Sequence, residues 1–203
     1  MGPFRTADMS QFRIYFDLGR DHILDYQNGY DHILFVIALC ALYTTREWKQ
    51  VLILVTAFTI GHSITLALST LEVITVDSAL IEFLIPLTIF VTAVSNIFKK
   101  EDSLTGSNMQ LNYLYAAFFG LIHGLGFSTF LKSILGRDKS IISQLFAFNV
   151  GLEFGQIIIV VIFLGSCFIL VDLIGINRRD WKLVISSAVA GIALILMKDK
   201  MFW

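Results

Sequence analysis

Charge is the scarcest property of this chain. Lys, Arg, Asp and Glu make up 15% of its 203 residues, against about 25% in an average soluble domain. Hydrophobic residues reach 56% and the mean hydropathy is +0.76, which excludes an ordinary soluble fold and reads as an integral membrane protein with the lipid bilayer as its first partner. No block of Lys and Arg occurs and the net charge is −1, so the basic footprint of a nucleic-acid binder is missing. The only two cysteines, Cys40 and Cys167, lie in apolar sequence outside any Cys-x-x-Cys pair. They read as packing residues and not as a disulfide or a thiolate metal site. The N-terminal segment, with Arg5, Asp8, Arg13, Asp17, Arg20 and Asp21, has no continuous apolar core and does not read as a cleavable signal peptide.

What is present is long apolar sequence. Residues 30–45, 51–71, 79–98, 111–131, 142–173 and 181–197 approach the ~20 residues that cross hydrocarbon as a helix. The expected fold is therefore all-α, a polytopic membrane bundle of about six transmembrane helices. Before the first span, Phe12, Tyr15, Phe16, Gly19, Ile23 and Tyr26 recur at three- and four-residue steps with charge on the other side, the pattern of an interfacial amphipathic helix. The expected division is an interfacial segment 1–28 and a single bundle 29–203. No repeat shows a clear register, although Gly120-Leu-Ile-His-Gly124 and Gly151-Leu-Glu-Phe-Gly155 both space glycines four apart, which lets helices approach closely.

The face carrying the N-terminus is termed side A and the opposite face side B. Lys and Arg number eight on side A and seven on side B. Every side-B loop is positive, whereas the 72–78 loop on side A has no Lys or Arg, which points to side B as cytoplasmic. A bacterial inner membrane is the expected location.

Only four histidines occur, and His32, His62 and His123 lie in or at the edge of the apolar spans, as do Asp31, Glu82 and Glu153. Ionisable groups in a bilayer face the bundle interior and hold a partner. Counted along their helices at about 1.5 Å per residue, His62 and His123 both fall roughly 13–15 Å from side A. Glu153 comes to the same level, with Asn149 and Gln156 on its face. Asp31 and His32 open the first span from side A, Glu82 lies one turn inside the third, and Tyr15, Leu18 and His22 share a stripe. All of these occupy the side-A half, a polar funnel leading to a midplane site. Imidazole with carboxylate suits a divalent transition metal such as zinc, nickel, copper or iron. Each residue also has a plain structural reading. Asp31 serves equally as a helix N-cap, Glu82 as a partner for backbone freed by Pro86, His123 as filler at a close helix crossing, and Ser63 as a hydroxyl bonded to its own helix.

The segments His22-Ile-Leu-Asp25, Gly29-Tyr-Asp-His32-Ile-Leu-Phe35, Phe58-Thr-Ile-Gly-His62-Ser-Ile-Thr-Leu66, Gly120-Leu-Ile-His-Gly-Leu-Gly-Phe127 and Gly151-Leu-Glu-Phe-Gly-Gln156 together resemble the HupE/UreJ family of hydrogenase and urease accessory membrane proteins. The resemblance implies a small bundle of about six helices, a nickel or cobalt permease serving metalloenzyme assembly, and His22, Asp31, His32, His62, His123 and Glu153 as the metal-handling positions. Permease members carry a His, five residues, then Asp-His, whereas eight residues separate His22 from Asp31 here; that departure sets His22 apart from the other five. Three functions follow as expectations. The first is metal transport. The second is an intramembrane metal-dependent hydrolase acting on a lipid or lipoprotein, with Ser63 or Glu153 orienting water. The third is an accessory subunit stabilised by metal, with metalloenzyme-assembly partners or a second copy of the chain as its neighbours.

Overall fold

The computed structural model describes residues 3–27, 29–99, 107–135 and 141–203, and every described element is helical. In chain order these are α1 (Pro3–Leu24), α2 (Tyr30–Cys40), α3 (Trp48–Thr70), α4 (Ser78–Phe98), α5 (Ser107–Gly126), α6 (Ser128–Leu135), α7 (Ile141–Cys167) and α8 (Arg178–Asp199). A 3-10 turn, Thr45–Glu47, leads into α3, and a π-helical turn, Phe168–Leu173, extends α7. Residues 100–106 and 136–140, between expected spans, fall outside the described residues.

Among the described residues, four stretches are long and apolar enough to cross a membrane: Thr45–Thr70, Ser78–Phe98, Ile141–Leu173 and Arg178–Asp199. These helices and the outward Ile53, Ile60, Val161, Ile162 and Ile195 fit an integral membrane protein. Two of the six expected spans come out differently. The first is an 11-residue helix, α2, about 16 Å long and half the ~30 Å hydrocarbon core. Gly29 breaks the chain before it, and after it the carboxylate of Glu47 takes the Thr44 N–H at 2.7 Å in a capping box that starts the next helix. The second is the segment 111–131, which breaks at Phe127 into α5 and α6. α5 is 20 residues long, but its amides, tyrosines and His123 keep it out of the strongly apolar class.

Glycines set the closest packing. A Cβ at Gly61 would run into the Ala117 carbonyl and one at Gly120 into the Phe58 carbonyl, so α3 and α5 lie backbone against backbone. α1 and α7 do the same through Gly19, Gly151 and Gly155. The apolar stripe expected on an interfacial helix thus packs against a membrane-length helix: Tyr15 and Ile23 are buried, and outside them Arg20 pairs with Asp17 at 2.8 Å. α4 and α8 pack antiparallel, tied at side A by Lys200 Nζ to Glu82 at 2.7 Å and at side B by Lys182 Nζ to the Lys99 carbonyl at 2.6 Å. Thr45 bonds Asp172 at 3.1 Å, which places the start of α3 beside the end of α7 and makes those two helices run in opposite directions.

Candidate functional site

These contacts bring all four histidines to one level of the bundle, each from a different helix. α1 carries His22 in its last turn, α2 presents His32 in its first turn, and Gly61 and Gly124 seat His62 and His123 where α3 crosses α5. His32 is the hub, with ring centres 4.6 Å from His22, 5.2 Å from His123 and 6.1 Å from His62. His22 and His62 are 6.3 Å apart. The altered spacing between His22 and Asp31 is absorbed by the break between α1 and α2, so His22 joins the set.

The hydrogen bonds fix which ring nitrogens are free. Asp31 Oδ1 accepts from the His32 backbone N–H at 2.9 Å and lies 3.0 Å from His32 Nδ1. A carboxylate only accepts, so His32 carries its proton on Nδ1 and its lone pair on Nε2. Thr88 gives its hydroxyl proton to the Ile85 carbonyl at 2.7 Å, and its oxygen stands 3.0 Å from His123 Nε2. With that proton committed, Thr88 accepts from His123 Nε2–H and leaves the lone pair on Nδ1. His22 Nε2, His32 Nε2, both nitrogens of His62 and His123 Nδ1 are buried and, among the described residues, without a hydrogen-bond partner. Each such group normally costs about 1–3 kcal/mol. A ring held through one nitrogen by a carboxylate or hydroxyl, with the other nitrogen bare, is how a metal-binding imidazole is oriented.

Two imidazoles on one ion, with donors about 2.0–2.1 Å from it, have ring centres roughly 5 Å apart. The observed spacings bracket that value. Among the described residues, however, no three His, Cys, Asp or Glu side chains are placed to hold one ion as they stand. Phe127 lies against His22 at 3.8 Å between ring centres and lines the site from side A, while Phe35 and Phe58, 4.8 and 5.2 Å from His123, close it toward side B.

Asp31, His22, His32, His123 and Glu82 line one cavity of about 810 Å³, bounded by the side-A ends of α4 and α8. Asp31 is not the N-cap of α2; that place belongs to Gly29, because the Asp31 carboxylate is held by His32. Glu82 is ion-paired with Lys200 and half exposed, so it does not turn inward to the backbone freed by Pro86. Ser63 donates to the Thr59 carbonyl at 2.7 Å and makes no bond to a histidine. Glu153 belongs to a second polar group. It accepts from Thr56, six residues before His62 and about 9 Å away along α3. Beside it, Thr59 donates to Gln156 Oε1 at 2.8 Å, while Asn149 Oδ1, Glu153 Oε2 and Gln156 Nε2 have no partner among the described residues.

Thr88 and Phe127 are the residues the sequence did not single out. Thr88, two places beyond Pro86 on α4, carried a usable signal as a hydroxyl in an apolar run, but nothing in the sequence says that α4 faces His123.

Among curated proteins and among solved structures nothing matches the chain. Residues 3–201 match the family model described as HupE / UreJ protein, a span that takes in all four histidines and nearly the whole chain. The chain belongs to the HupE/UreJ family of metal-related accessory membrane proteins.

Proposed function

We propose that this protein is a permease for a divalent transition metal of the nickel or cobalt type. The observation that carries the reading is the convergence of every histidine in the chain on one buried layer with five ring nitrogens left unbonded. Neutral imidazoles select nickel, cobalt, copper and zinc over calcium and magnesium. His22, His32, His62 and His123 would receive the ion as cargo. Asp31 orients His32 and adds a negative charge beside it, and Thr88 orients His123. Entry follows the 810 Å³ cavity on side A, where Asp31 attracts a cation. Small rotations of the four rings would turn a loose cluster into a ligand set, and reversing them would release the ion. The hydrolase reading finds less support, since Ser63 is committed to its own helix and Glu153 to Thr56.

The test is metal analysis of detergent-purified protein beside His62→Ala and His123→Ala, followed by nickel uptake into sealed proteoliposomes. The reading expects bound metal lost in both variants and uptake by the wild type alone. Bound metal without uptake would leave an accessory role, and absence of binding under metal-replete conditions would overturn the reading.

A further inference from the structure

A permease needs a way out on side B, and a symmetry hidden in the chain indicates where it would open. Gly19-Arg-Asp-His22 on α1 and Gly120-Leu-Ile-His123 on α5 share Gly-x-x-His at a separation of 101 positions. Phe58-Thr-Ile-Gly61 on α3 and Phe148-Asn-Val-Gly151 on α7 share Phe-x-Ile/Val-Gly at a separation of 90.

The contacts obey the same two shifts. Gly61 meets the Ala117 carbonyl and Gly120 meets the Phe58 carbonyl; their images, Gly151 on the Phe16 carbonyl and Gly19 on the Phe148 carbonyl, are the contacts found between α7 and α1. Asp77 and Asn177, 100 apart, each cap the following helix by accepting the N–H two residues on. The pairing of Glu82 with Lys200 at one end of α4 and α8 maps within one residue onto that of Lys182 with Lys99 at the other. Since α3 and α7 run in opposite directions, the two halves are related by a half-turn about an axis in the membrane plane. His22 and His123 are images of each other, so the axis passes through the histidine layer.

We infer that α1–α4 and α5–α8 are inverted repeats that exchange conformations, so that the histidine layer now reached from side A opens alternately to side B between α4, α5 and α8. Inverted repeats around a midplane site underlie alternating access in several transporter folds. The inference deepens the permease reading and rests on it for the cargo.

The location of the second opening follows by mapping. Leu18 and Leu196 line the side-A cavity; their images, Phe119 and Asn96, already line a smaller cavity of about 280 Å³ at the side-B end. Ile85 and Pro86 also line the side-A cavity, and their images are Ile185 and Ser186. Ser186 is fully buried and its hydroxyl has no partner among the described residues, as befits a position that meets water only in the other conformation.

The experiment uses the full chain with Cys40→Ala and Cys167→Ala, reconstituted in sealed proteoliposomes and probed with a membrane-impermeant methanethiosulfonate. Arg179→Cys, exposed at side B, calibrates labelling from that face. Ser186→Cys is expected to react from side B at about 0.1–10% of the Arg179→Cys rate, the range of a minor conformer. Ile185→Cys is the second reporter should Ser186→Cys fail to assemble. No side-B labelling of either reporter, with Arg179→Cys reactive, overturns the exchange. Nickel uptake in the same vesicles separates the two ideas: uptake without labelling sinks the exchange and leaves the permease, while labelling without uptake sinks the permease and leaves the exchange.

Discussion

Replacing Thr88 by valine removes one oxygen and keeps the shape of the side chain. In the native protein that oxygen stands 3.0 Å from His123 Nε2 while its proton is given to the Ile85 carbonyl. Without it His123 loses the group that fixes its tautomer, and its Nε2–H becomes a buried donor with no partner in an otherwise aromatic shell. The loss of a group that orients a metal-binding histidine is expected to weaken affinity by about 10–100-fold, or about 1.4–2.7 kcal/mol. The orphaned donor should lower the stability of the metal-free protein by about 1–3 kcal/mol. Thr88→Ser keeps the hydroxyl and should restore most of both. Isothermal titration of purified protein with nickel, beside thermal unfolding of the same samples without metal, reads the two quantities separately. Nickel affinity in Thr88→Val equal to wild type would refute the reasoning, and so would an equal loss in Thr88→Ser, since then the hydroxyl is not what matters.

Gly61→Ala should destabilise the bundle by about 1–3 kcal/mol, because the added methyl meets the Ala117 backbone and the helices must part. Gly165→Ala, where a Cβ would meet nothing within 4 Å, should be neutral or mildly stabilising; thermal unfolding of the pair in one detergent checks the contrast. The double variant Cys40→Ala with Cys167→Ala should keep its metal content and its mobility on non-reducing gels, as both cysteines are free and buried; loss of metal by inductively coupled plasma analysis would make a thiolate part of the site.

Reading depth along apolar spans was enough to bring His62 and His123 together, because helical rise converts position into height with little error. Counting along separate helices says nothing about azimuth and misses tilt, which is why Glu153, expected at the level of His62, instead meets Thr56 about 9 Å away along α3. The short α2 was hidden by the hydrophobicity of 33–43, which reads as a span although Gly29 and the Thr44–Glu47 cap cut it at both ends. The break at Phe127 carries no proline and follows a run of glycines equally suited to close packing. The repeat escaped for a different reason. Its two shared motifs are displaced by 101 and 90 positions, so no single shift of the sequence against itself aligns both, and only the matching glycine contacts reveal the register.

The length of α7 has a consequence for the lipid around it. With its π-helical extension it runs 33 residues, Ile141–Leu173, about 50 Å of helix against a hydrocarbon core of about 30 Å. Even a 40° tilt, the upper end of the usual range, leaves roughly 38 Å to be covered. The outward Ile142 and Phe146 near its start are apolar and exposed, so that excess is hydrophobic and not merely a projecting stalk. A thin bilayer must thicken locally around this one helix, whereas α3, α4 and α8 match it without strain. Acyl-chain length thereby becomes a variable that acts on one flank of the protein alone, pulling α7, and α1 clasped to it, against the rest of the bundle.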